Sequence, residues 1–103
     1  MRLTELNAQF IGHGGEGVTD KDGKPVPHRE GVAIYFDCPK CGPDHPGCVE
    51  FTNPLDGGPP TRTDGHTWQR EGDTIEALTL RPSILRKDCG WHGFFTNGEA
   101  VEA

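Results

Sequence analysis

Wherever the chain shows order, apolar and polar positions alternate with a period close to two. Leu3 to Ile11 alternates loosely and predicts an opening strand. Gly31 to Asp37 (GVAIYFD) is the strongest strand signal: apolar, β-branched and aromatic, and running directly into Cys38. Cys48 to Thr52 alternates over a shorter span, and Thr67 to Arg70 predicts a strand around Trp68. Thr74 to Leu80 (TIEALTL) predicts another, with Ile75, Ala77 and Thr79 on one face and Leu78 and Leu80 on the other. Pro82 ends it, because proline cannot donate to a central ladder. A short helical turn is expected at Ser83–Lys87. Trp91 to Thr96 and Glu99 to Val101 should pair across Asn97-Gly98, a strong two-residue hairpin signal. No segment keeps a period of 3.6 over a helix length, and there is no internal repeat.

Between these segments the chain is glycine- and proline-rich. Residues 12–30 hold the turn pair Asp22-Gly23 and predict a long loop or irregular hairpin, and residues 53–66 (NPLDGGPPTRTDGH) predict a loop. The expected fold is therefore mostly β: a small antiparallel-sheet domain over residues 1–103 with long Gly/Pro-rich loops. Hydrophobic residues are only 32% of the chain, against roughly 45–50% in ordinary globular proteins. A core this thin is usually stapled by disulfides, a metal or a partner subunit.

Charge and cysteine usage narrow the choice. The net charge of −6, from 16 acidic and 10 basic residues, opposes a phosphate-backbone partner, which needs a basic stripe. The N-terminal residues lack the apolar run of a secretory signal, and nothing approaches a membrane span. The expected compartment is the cytoplasm, where four cysteines read as metal ligands before disulfides.

Cys38-Pro-Lys-Cys41-Gly has the form of a zinc knuckle: two thiolates separated by two residues reach one ion from a tight turn. Cys89-Gly-Trp-His92 repeats the spacing with an imidazole. Together they predict a Zn²⁺ site of Cys38, Cys41, Cys89 and His92, joining two distant parts of the chain. Cys48 could replace Cys41 or His92, and His45 is a further candidate. Cys48 opens an apolar strand, where a thiol packs as a small hydrophobe, and His45 reads as a loop histidine. Three thiolates and an imidazole fill a tetrahedral shell, so the zinc is expected to be structural. His28-Arg-Glu30 upstream of the first knuckle does not make a deaminase site, since the proline lies inside the cysteine pair and the helices are missing. Gly12–Gly17 lacks the context of a phosphate loop. Spacing alone argues for no Ser-His-Asp or paired-carboxylate arrangement, and Trp68, Trp91, Phe94 and Phe95 read as core and zinc cover.

The order Cys38-Pro-Lys-Cys41-Gly, then Leu78-Thr-Leu-Arg-Pro-Ser-Ile84, then Cys89-Gly-Trp-His92-Gly-Phe94 resembles a family of small uncharacterised zinc-binding proteins of tailed bacteriophages and prophages. The resemblance covers about residues 31–101 and implies a phage context and a zinc site. The resulting expectation is a non-enzymatic phage-type protein with a structural zinc. It would act through protein–protein contacts, as a virion component or a binder of a host factor, in the bacterial host cytoplasm or in the virion. The alternative is a nucleic-acid-binding zinc-ribbon-like module, with Arg81, Arg86, Lys87 and an exposed Trp91 as its surface. That alternative is disfavoured by the acidic charge.

Overall fold

A computed structural model describes residues 1–62 and 65–103. Among the described residues, eight strands form three small antiparallel sheets. The first has the order β1-β2-β3, from Gln9–His13, Arg29–Cys38 and Gly42–Glu50. The second pairs β4 (Gln69–Glu71) with β5 (Thr79–Arg81). The third has the order β6-β7-β8, from Ile84–Arg86, Trp91–Thr96 and Glu99–Glu102.

The strong strand signal is realised as β2, whose alternation turns Ile34, Phe36 and Cys38 into the core. From the third sheet, Trp91 and Phe95 point back at them. Phe36 and Phe95 meet edge to face at 4.9 Å and join the two three-stranded sheets. Leu3, Leu6, Val49, Phe51, Leu78 and Leu80 complete one continuous apolar cluster.

The Asn97-Gly98 hairpin forms as expected, with φ of 48° and 78° at its two residues, the left-handed pair that such a turn requires. Three expectations change. Leu3–Leu6 is a 3₁₀ turn rather than the start of a strand, because both leucines must face the core and strand alternation would expose one of the two flanks. Ile75–Ala77 is likewise a 3₁₀ turn, and only Thr79–Arg81 is extended. Ser83–Lys87 is not helical: Ile84–Arg86 pairs with β7, burying Ile84.

The expected loops are loops. Residues 12–30 contain an irregular hairpin closed by the Thr19–Pro25 bridge, while Thr63 and Asp64 of the second loop lie outside the described residues. That second loop is tied to β2 by Arg29, which donates to both Asp56 oxygens at 2.6 and 2.8 Å. The guanidinium holds the Asp56 carboxyl at about 2, below the usual value near 3.9. A depressed folded-state value stabilises the fold fully above the unfolded value. That contribution is lost as pH falls from about 4 to about 2. Asp56→Asn should flatten the acid limb of a stability-versus-pH curve in this window, measured by urea unfolding, and leave the neutral limb parallel to wild type.

Candidate active site and metal centre

Cys38 ends β2 and Cys41 follows three residues later, before Gly42 at φ 82° turns the chain into β3. The β2–β3 register then slips. Asp37 pairs with Pro46 and Cys38 with Gly42, so residues 43–45 bulge out and carry His45 back over the knuckle. Cys89 arrives from the turn between β6 and β7. The ligand atoms of Cys38, Cys41, His45 and Cys89 all lie within 4.8 Å of one another, and the Cys38 and Cys89 sulfurs are 3.6 Å apart.

The chemistry of this donor set fits a soft divalent cation. His45 Nδ1 is buried without a hydrogen-bond partner among the described residues. Its Nε2 is 2.5 Å from the Asp88 carboxylate, the outer partner that orients a metal-binding imidazole. Burial pushes the Cys38 thiol up, but the Cys41 N–H, the adjacent His45 ring, the Lys40 N–H and Cys89 outweigh it and hold Cys38 at about 6. Cys41 is pushed up to about 11, first by burial and then by Cys89 and Cys38. One sulfur readily ionises and the next resists, a conflict that a bound cation removes.

Arg86 braces this corner. Its guanidinium donates to the His45 and Pro46 carbonyls at 2.8 and 3.0 Å and lies over the Phe36 ring. Arg81 is paired with Glu71 at 2.6 Å, and Trp91 is buried. Two of the three cations expected on a nucleic-acid surface, and its aromatic, are thus committed elsewhere.

His92, expected as the fourth ligand, is not in the cluster, and the place beside the three sulfurs is taken by His45. The reason is strand alternation: β7 turns Trp91, Gly93 and Phe95 inward, so His92 and Phe94 point out. Cys48 also stays outside the cluster, exposed on the outer face of β3, and its thiol is raised, first by desolvation and then by the nearby Glu50.

What His92 meets instead is Ser83, the only serine in the 103 residues. Ser83 Oγ lies 3.0 Å from His92 Nε2. Leu85 is paired with His92 across β6 and β7, and Ser83, two residues before Leu85, falls on the same face as a diagonal neighbour. The Trp68 indole N–H donates to the Ser83 carbonyl at 3.2 Å and fixes the backbone from below. Ser83 lines a cleft of about 770 Å³. Among the described residues no carboxylate hydrogen-bonds to the His92 ring, so Ser83 and His92 form a dyad.

Residues 18–103 match the family described as bacterial ubiquitination-like system serine protease (BubE). The chain belongs to the BubE family. No curated protein and no solved structure matches it. Membership in a family of serine proteases overturns the expectation of a non-enzymatic phage-type protein. The sequence-based exclusion of enzymatic activity fails with it. It counted acid-base-nucleophile constellations along the chain, whereas this dyad comes from cross-strand register. No helix among the described residues is long and apolar enough to cross a membrane.

Proposed function

We propose that this BubE chain hydrolyses peptide bonds in a bacterial ubiquitination-like system. Ser83 is its nucleophile and His92 its general base, on a fold stapled by Zn²⁺ at Cys38, Cys41, His45 and Cys89. The observation that carries this reading is that the single serine of the sequence lines a cleft and stands within hydrogen-bond reach of the outward-facing His92 imidazole.

In this role His92 presents an unprotonated Nε2 to the hydroxyl. As Ser83 Oγ bonds to the scissile carbonyl carbon, its proton passes to Nε2. Nε2 then gives that proton to the departing amine, leaving an ester on Ser83. Water enters, loses a proton to Nε2 and attacks the ester carbonyl; Nε2 then passes that proton to the departing Ser83 Oγ, releasing the acid and restoring hydroxyl and base. Three thiolates and one imidazole fill a tetrahedral shell, so bound zinc supplies cross-linking and charge neutralisation. Cys89 lies in the turn between β6 and β7, the two strands that position Ser83 and His92. The metal therefore holds the register on which the dyad depends. The protein partner expected from the sequence becomes, in this reading, the polypeptide that is cut.

An acyl-serine intermediate has a kinetic signature. With 4-nitrophenyl acetate, the zinc-loaded chain should release a burst of about one nitrophenol per chain before steady turnover. Ser83→Ala should show no burst. A burst of equal size in that variant would assign the nucleophile elsewhere and sink the reading.

A further inference from the structure

The cleft beside Ser83 has a wall chemistry that selects what can lie in it. Leu80, Pro82 and Phe94 supply apolar surface. Thr52 and Thr67 add hydroxyls that are already bonded to each other at 2.5 Å. Arg81 is the one charged residue among the described lining residues, and Glu71 holds its guanidinium at 2.6 Å. A lysine or arginine of a substrate would meet no carboxylate on this wall. An aspartate or glutamate would meet only Arg81, whose exposed guanidinium is already shared with Glu71, so the wall offers neither charge a dedicated partner.

The cleft opens onto an apolar face. Phe94, which lines it, is 42% exposed, although it belongs to a strand whose other aromatics, Trp91 and Phe95, are buried. Leu85, at 54% exposure, pairs with His92, and Val101, at 49%, pairs with Phe94. Three of the five large exposed hydrophobic residues thus surround the dyad on one sheet face. At about 770 Å³, the cleft lies in the size range of ligand sites and exceeds a single side-chain slot.

We propose that this cleft is the recognition subsite for an extended polypeptide segment of uncharged, small or aliphatic residues next to the scissile bond. Phe94 is its specificity-determining residue. The proposal rests on Ser83 being the nucleophile, since that places the scissile bond at the cleft. It narrows the substrate class to chains whose cut site is free of charge. The occupant is the substrate itself, because Ser83 and His92 emerge from this face and anything they cut must lie across it.

The test uses the zinc-loaded, full chain carrying Ser83→Ala, which keeps the cleft and stops turnover. Three decapeptides are titrated, with four central residues drawn from Ala, Leu and Thr, or all Glu, or all Lys. Tryptophan fluorescence is followed, since Trp68 lies against Ser83. The uncharged peptide should bind about tenfold or more tightly than either charged one, and Phe94→Ala should cost it about tenfold, the scale of a lost apolar contact. Thr96→Arg, at an exposed lining position, should shift preference toward the Glu peptide. Tyr35→Ala, exposed on the first sheet, should change nothing. Equal binding of all three peptides, no binding of any, or indifference to Phe94→Ala would overturn the proposal. Selective binding without the nitrophenol burst would leave the subsite standing and remove the serine reading.

Discussion

Ser83→Ala should lower kcat/KM for peptide cleavage about a thousandfold or more, and His92→Ala should lower it to a similar extent. The double variant should lose no more than the worse single one, since a nucleophile and its base act as one unit. The prediction follows from one distance and one count. Ser83 Oγ lies 3.0 Å from His92 Nε2, and no other serine exists in the sequence to take its place. His92 is exposed on the third sheet and Ser83, just before β6, is half-buried and outside the apolar core, so neither substitution should cost much stability. Circular dichroism and thermal unfolding of the two variants should match wild type within a few degrees. A His92→Ala chain that cuts at the wild-type rate would remove the general base from the account.

Stripping the metal should unfold the protein. A structural zinc contributes about 10–16 kcal/mol in small zinc domains, as much as or more than the roughly 5–15 kcal/mol net stability of an ordinary domain. Zinc at the proposed site would bridge the end of β2, the β2–β3 bulge and the β6–β7 turn, in a chain with only 32% hydrophobic residues. Chelation, or Cys38→Ser, should abolish the cooperative thermal transition and cleavage together, and zinc should restore both after chelation. His45→Ala should lose most of the bound zinc, whereas His92→Ala should keep about one ion per chain by elemental analysis. Zinc lost in His92→Ala and retained in His45→Ala would reinstate His92 as the ligand. That result would also take the base away from Ser83.

Much of the fold could be read from the sequence because its signals are local. Alternation marked β2 and β7, and Asn97-Gly98 fixed their neighbouring hairpin. The errors fell where tertiary contact decided. Ser83–Lys87 resembles a helical turn in isolation, but Ile84 is buried only if the segment pairs with β7. The same oversight concealed the dyad: without β6 there is no cross-strand diagonal to bring Ser83 to His92. Of the four clustered donors, the three cysteines were legible from their spacing. His45 was weighed only as a further candidate, since the Gly-Pro-Asp-His-Pro-Gly segment reads as loop and only the register slip after Asp37 returns it to Cys38. One signal could have excluded His92: the inward sequence Trp91, Gly93, Phe95 leaves position 92 facing out.

The role of Ser83 is tested most directly by a fluorophosphonate, which forms a stable adduct only with an activated serine hydroxyl. Zinc-loaded protein treated with the reagent and analysed by tandem mass spectrometry should carry one adduct, placed on Ser83. His92→Ala should label far more slowly, because the hydroxyl would keep its proton. An adduct on another residue, or a Ser83 that stays unmodified in folded, zinc-loaded protein, would contradict the assignment of the nucleophile.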